Sequence, residues 1–93
     1  MRKTPSGDPE AEALAIRALA FVAADDSLVA ALMEASGMAP GDLRRIAAQP
    51  EFPGFILDFL LAEDRRLLDF AAAEGLVPEA VIRVRARLED GRA

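Results

Sequence analysis

The chain of 93 residues contains no cysteine, histidine, tryptophan or tyrosine, and its one lysine is Lys3. Without cysteine it can form no disulfide, no thiolate nucleophile and no cysteine-based metal site. Without histidine it lacks the usual proton carrier at neutral pH and the commonest metal ligand. The serine and threonine hydroxyls therefore have no base that would activate them. We predict a protein that is not an enzyme and that binds no cofactor and no metal.

Basic residues are the minority, because the formal net charge is −5 from 16 acidic and 11 basic side chains. Binding to a phosphate backbone needs clustered cations, so this balance disfavours nucleic acid as a partner. Long apolar runs are also missing: none approaches the length of a membrane span, and acidic residues interrupt the apolar stretch near the N-terminus. We predict a cytoplasmic protein that does not enter a membrane.

The residues that are present follow helical spacing, and no stretch shows the alternation of a half-buried strand. Helix caps and helix breakers divide the chain into short segments. Starts are predicted at Asp8–Pro9, Asp25 or Asp26, Pro40, Pro50, Glu63 or Asp64, and Pro78, and stops at Gly37 and Gly75. The prediction is an all-α fold, a compact bundle of five or six short helices. Residues 1–7 form a flexible tail, and residues 8–90 form one domain.

The first predicted helix is apolar on nearly every side. Leu14, Ala18 and Val22 lie on one stripe, and a second stripe contains Ile16. A helix with apolar residues all round is typical of the centre of a bundle. We therefore expect the first helix to be central, and all five phenylalanines to lie in the core.

An internal repeat joins the two halves of the chain. A shift of 38 residues aligns 21–47 with 59–85 without a gap, so the repeated units span about 13–49 and 51–87. The two copies share an apolar helix end, an acidic start, a glycine stop and a proline restart. We predict two three-helix units packed about a pseudo-twofold axis, with Gly37–Pro40 and Gly75–Pro78 as equivalent corners.

The two corners also resemble the turn of a helix-turn-helix. Segments 31–48 and 69–88 each place a glycine in a turn and apolar residues along the helix that follows. DNA contacts would then come from Arg44 and Arg45, or from Arg83, Arg85 and Arg87. However, Ser36 and Glu74 precede the glycines, where an apolar residue usually packs. DNA binding is therefore the less favoured alternative, and the arginines are interpreted as parts of solvated helix faces.

Two isolated charges and two acidic pairs complete the candidate sites. Arg17 and Asp58 each stand alone in an apolar segment, so they either pair with each other across the first and fourth helices or point into solvent. The pairs Asp25–Asp26 and Glu63–Asp64 are read as helix starts, because they occupy equivalent positions of the repeat. A carboxylate metal site is the less favoured alternative there.

The words ALAF, GMAP with DLRR, LDFLLAED and EGLVPE, spread between about Pro9 and Leu88, resemble a family of short proteins common in alphaproteobacteria. That family is the domain-of-unknown-function family DUF3572. The resemblance implies a compact helical fold, and it transfers no catalytic or binding residue.

The function predicted from these observations is a non-enzymatic module for protein interaction or assembly. A protein partner is expected, and the 53% hydrophobic content favours a homodimer, because an uncovered apolar patch promotes association.

Overall fold

The computed structural model describes residues 8–91, which form six α-helices and one 3-10 turn and contain no strand. The all-α prediction is confirmed. The elements are α1 (Pro9–Ala23), α2 (Asp26–Ser36), a 3-10 turn (Pro40–Asp42), α3 (Leu43–Ala47), α4 (Phe52–Leu61), α5 (Asp64–Glu74) and α6 (Pro78–Gly91). The tail predicted for residues 1–7 lies outside the described part of the chain.

Two aspartates start helices as the sequence predicts. The Asp8 carboxylate accepts from the Ala11 N–H at 3.1 Å and caps α1. Asp25, rather than Asp26, caps α2 and accepts from the N–H groups of Ser27 and Leu28. Each cap satisfies backbone donors that the first helical turn leaves without a partner.

The start of α5 differs from the predicted cap. Glu63 occupies the cap position with extended backbone, but its side chain makes no hydrogen bond to the first turn. Its carboxylate instead lies 3.5 Å from Nη2 of Arg66. Glutamate has one methylene more than aspartate and is a poorer helix cap, which agrees with the missing hydrogen bond at this position.

Both predicted glycine stops adopt the left-handed conformation that ends a helix. Gly37 has a φ of 74° and ends α2, and Gly75 has a φ of 69° and ends α5. Glycine adopts this conformation without a steric penalty because it has no Cβ. The chain after Gly37 forms the 3-10 turn and the five-residue α3, whereas the chain after Gly75 forms the 14-residue α6.

The fourth helix begins later than the predicted start at Pro50. Its first residue is Phe52, and Pro53 takes the second helical position. A proline there loses no helical hydrogen bond, since the first turn has no acceptor for its N–H. Residues Ala48–Glu51 consequently form an exposed connection between α3 and α4.

The core forms where α1 packs against α4. Helix α4 is covered by α1, α5 and α6, and Asp58 is its one residue that is mostly exposed. The fully buried large side chains come from several helices: Val22, Leu32, Ile56, Leu57, Leu60, Phe70 and Val81. Burial of this apolar surface provides the main driving force of the fold.

The expectation that α1 is covered on nearly every side is wrong. Helix α1 buries a single stripe, which includes Leu14, Ala18 and Val22, while Ile16 on its outer side is 65% exposed. The outer side of α1 consists mainly of alanines and charged residues, so it offers little surface for another helix to cover. Phe52, Phe59 and Phe70 are buried as expected, and Phe21 and Phe55 are partly buried.

Candidate interaction surface

Two arginines of α6, Arg85 and Arg87, pair with carboxylates on other parts of the bundle. Arg85 makes a bidentate contact with Asp58 on α4, with Nε–Oδ1 at 2.7 Å and Nη2–Oδ2 at 3.0 Å. Gly54 lies beneath the guanidinium, because a Cβ at Gly54 would sit 3.5 Å from Cζ of Arg85. The hydrogen bond to Asp58 raises the pKa of Arg85 and outweighs the opposing effect of its partial burial.

Arg87 joins α6 to the beginning of α1. Its Nη2 lies 2.9 Å from Oδ2 of Asp8 and 3.0 Å from Oε1 of Glu10, so it connects α6 to the start of α1. Partial burial alone would raise the pKa of Asp8. Hydrogen bonds from the Ala11 N–H and from Arg87 outweigh that effect and lower it. Asp8 therefore caps α1 and receives Arg87 with the same carboxylate.

The structure does not bring Arg17 and Asp58 together, so the first of the two alternatives, an ion pair between them, is not formed. Nε of Arg17 lies 3.6 Å from Oε1 of Glu74 at the end of α5, and Asp58 is bound by Arg85. The α1–α4 interface is apolar, so a charge pair inside it would have to be desolvated. Each charged side chain instead leaves the interface at its edge and reaches a third helix.

The remaining predicted nucleic-acid contacts lie apart from this arrangement. Nη2 of Arg45 on α3 lies 2.9 Å from Oδ1 of Asp42, which is three residues earlier in the chain. Arg44 and Arg83 are exposed, and within residues 8–89 neither lies within 4 Å of a carboxylate. Three of the five arginines, Arg45, Arg85 and Arg87, thus form ion pairs with carboxylates. These pairs weaken the positive field that binding to a phosphate backbone requires.

An open cleft lies between α1 and the connection from α3 to α4. Its volume is about 280 Å³, and α1 contributes Glu12, Ala15 and the exposed Ile16. The opposite wall runs from Ala47 through Gln49 and Pro50 to Phe52 and Pro53.

A second cleft of about 340 Å³ lies on the other side of the same connection. Its lining is mainly apolar and consists of Ser36, Met38, Ile46, Gln49, Glu51, Phe52 and Phe55. Gln49 and Phe52 line both clefts, so the two clefts adjoin, and we call them together the twin-cleft surface. Both clefts are open and shallow, whereas small-molecule sites enclose most of their ligand.

Other polar groups in the described residues are engaged locally, including Ser36 at the second cleft. Oγ of Ser27 donates to Asp25 at 2.7 Å, and Oγ of Ser36 donates to the carbonyl oxygen of Leu32 at 2.7 Å. No group of three or more acidic side chains in residues 8–91 is placed to hold a metal ion. Asp25 caps α2, and Glu63, which precedes α5, pairs with Arg66.

Comparison with known proteins identifies the family. A family model described as "Protein of unknown function (DUF3572)" matches residues 8–91. The chain belongs to this family. No curated protein and no solved structure matches it. The match to the DUF3572 family covers all six helices and both clefts, and among the described residues no helix is long and apolar enough to cross a membrane.

The twin-cleft surface of this DUF3572 protein was not identified as a site from the sequence. Ile16 was assigned to the core, and the connection around Gln49 was treated only as a break between helices. Two sequence signals point to it in retrospect. The outer side of α1 pairs Ile16 with Glu12 one turn earlier, and the segment from Ala47 to Pro50 begins with two small alanines and ends in a helix-breaking proline.

Proposed function

We propose that this protein is a non-enzymatic interaction module and that the twin-cleft surface is where it binds a protein partner. The observation that carries the proposal is the exposure of apolar side chains around two adjoining clefts. Ile16 is 65% exposed at one edge, and Met38, Ile46 and Phe55 are partly exposed around the other cleft. Interfaces that form and dissociate commonly combine such an apolar centre with a polar edge.

The polar edge of the surface is also present. Gln49 lies between the two clefts, Ser36 and Glu51 border one of them, and Glu12 borders the other. A protein interface needs this combination, since apolar contacts supply affinity and polar groups at the edge fix orientation.

The other exposed apolar side chains do not adjoin either cleft. Leu68, Val77 and Ile82 are 52%, 60% and 48% exposed on or beside α5 and α6, and none of them lines the twin-cleft surface. Single exposed apolar residues are common on soluble proteins and need no partner. Continuity with clefts therefore distinguishes Ile16 from these three residues.

The internal duplication is part of the same proposal. A further cleft is lined by Asp25, Ser27, Leu28 and Ala31 from α2, and by Glu63, Arg65, Arg66 and Asp69 from α5. These residues correspond in four pairs, each separated by the 38-residue shift of the repeat. Equivalent positions that face each other across one cleft support a pseudo-twofold relation between two three-helix units. The different lengths of α3 and α6 limit the likeness to the first two helices of each unit.

Co-purification from the native host tests the proposed function. The untagged wild-type chain is compared with Ile16→Ser on the twin-cleft surface and with Leu68→Ser on α5, both of which replace an exposed aliphatic side chain. We expect the wild type and Leu68→Ser to retain a protein at constant stoichiometry and Ile16→Ser to lose it. Loss with Leu68→Ser but not with Ile16→Ser would contradict the assignment of the surface.

Homodimerisation stays a separate prediction. Sedimentation equilibrium of the wild-type chain measures its mass over a range of concentrations. A dimer that Ile16→Ser dissociates would make a second copy the partner, whereas a monomer would leave the surface for a different protein.

A further inference from the structure

We infer that the twin-cleft surface selects a basic, amphipathic segment of its partner protein, with apolar side chains in the clefts and lysine or arginine beside them. The inference rests on the proposed function and adds the chemistry of the partner. It follows from the charges at the edges of the clefts and from their pairing in the structure.

The edge of each cleft carries one carboxylate. Glu12 lies one helical turn before Ile16 and borders the first cleft, and Glu51 borders the second cleft just before Phe52. Within residues 8–89, neither carboxylate has an arginine nitrogen within 4 Å. Among the residues that the structure describes, no basic side chain lines either cleft. A partner that fills the clefts therefore meets negative charge on both sides of Gln49.

The nearest basic residues in sequence do not neutralise these edges. Arg17, the basic residue nearest Glu12, lies with its Nε 3.6 Å from Oε1 of Glu74. Arg45 is held by Asp42 at 2.9 Å. Arg44 lies two residues before Ile46, which places it on the opposite side of α3 from the side chain that lines the cleft. The local charge of the surface is thus negative where a partner would sit.

The whole chain adds to this local charge. Other exposed carboxylates without an arginine within 4 Å in residues 8–89 are Asp25, Asp26, Glu34, Asp64 and Glu79, against Arg44 and Arg83 among the basic residues. Together with the formal charge of −5, this balance attracts a basic partner at long range and repels a second acidic copy. Charge complementarity therefore favours a basic partner over self-association.

Two synthetic peptides of about 14 residues test this inference. Both carry leucines at helical spacing on one face and a single tryptophan, and they differ in having lysine or glutamate on the other face. Because the protein has no tryptophan or tyrosine, the peptide's fluorescence reports binding without background. We expect the lysine peptide to bind the full chain and to shift the backbone amide signals of Ile16, Ile46 and Phe52, and the glutamate peptide to bind far more weakly.

Two double variants separate local from overall electrostatics. Glu12→Gln with Glu51→Gln removes the edge charges, and Glu34→Gln with Glu79→Gln removes two exposed charges elsewhere, so both change the net charge equally. We expect the edge variant to lose about three- to tenfold in affinity for the lysine peptide at low salt, and the control variant to keep nearly all of it.

Three results would overturn the inference. These are equal losses in the two double variants, a glutamate peptide that binds as tightly as the lysine peptide, and no binding of the lysine peptide at about 1 mM. If Ile16→Ser still abolishes co-purification of a partner, the proposed function stands and only the basic character of the partner is refuted. If that variant has no effect either, the proposed function fails as well.

Discussion

Breaking the pair between Asp58 and Arg85 is expected to loosen the attachment of α6 to α4. Solvent-exposed ion pairs contribute about 0.2–1 kcal/mol. The bidentate geometry, with contacts of 2.7 and 3.0 Å, places this pair in the upper part of that range. The 59% exposure of Asp58 keeps it from exceeding the range, because water screens the charge. We therefore expect a coupling free energy of about 0.5–1 kcal/mol.

A double-mutant cycle measures this coupling. Asp58→Asn removes the negative charge, and Arg85→Met removes the guanidinium that lies over Gly54 while keeping most of the aliphatic stem. For a domain of this size we expect the melting temperature of Asp58→Asn to fall by roughly 3–6 °C. Glu89, which lies 3.8 Å from Arg85, reduces the loss by remaining as a partner. Circular dichroism of the wild type, both single variants and the double variant provides the four stabilities.

Arg65 and Asp69 provide the matched control. They form an ion pair at 3.7 Å on α5, and their side chains are 86% and 62% exposed, so their coupling should be close to zero. A coupling for Asp58 and Arg85 no larger than that of the control pair would refute the view that the α6 arginines hold the bundle together.

Three further predictions concern the helix ends and the alternative function. Gly37→Ala should lower the free energy of unfolding by about 1 kcal/mol, because alanine is strained at positive φ, whereas Gly41→Ala should be nearly neutral; thermal melting of both compares them. The hydrogen bond from the Ser27 hydroxyl, followed by those from the Leu28 and Ser27 N–H groups, lowers the pKa of Asp25 below 3.8. The stability that this carboxylate contributes is therefore fully present above pH 3.8. It is lost as the pH falls through the lower pKa that Asp25 has in the folded state. Melting curves between neutral and strongly acidic pH should show a smaller decline for Asp25→Asn, and equal declines would contradict this. Titration with duplex DNA at about 50 mM salt should give no salt-dependent binding, and such binding would revive the helix-turn-helix alternative.

The sequence predicts the helices because their ends depend on local chemistry. Asp25 caps through its own first turn, and Gly37 ends α2 through its own backbone conformation, so each can be identified from neighbouring residues. Pro50 is a less reliable marker, since proline tolerates several positions around a helix start. The structure places the start at Phe52 instead.

Contacts between distant segments were not predicted. Arg85 reaches Asp58 across 27 residues, and Arg87 reaches Asp8 across 79, and no local pattern encodes either partner. The expected pair of Arg17 with Asp58 rested on both being isolated charges, which says nothing about the direction of their side chains. Ile16 was misplaced because a nearly uniform apolar pattern does not reveal which side of a helix is left uncovered.

Photo-crosslinking in the native host tests directly whether the twin-cleft surface binds a partner protein. A photoreactive residue is placed either at position 16, on the twin-cleft surface, or at position 68, on the exposed side of α5. We expect an adduct with a partner protein from position 16 and little or none from position 68. An adduct formed equally from both positions, or from position 68 alone, would contradict this expectation.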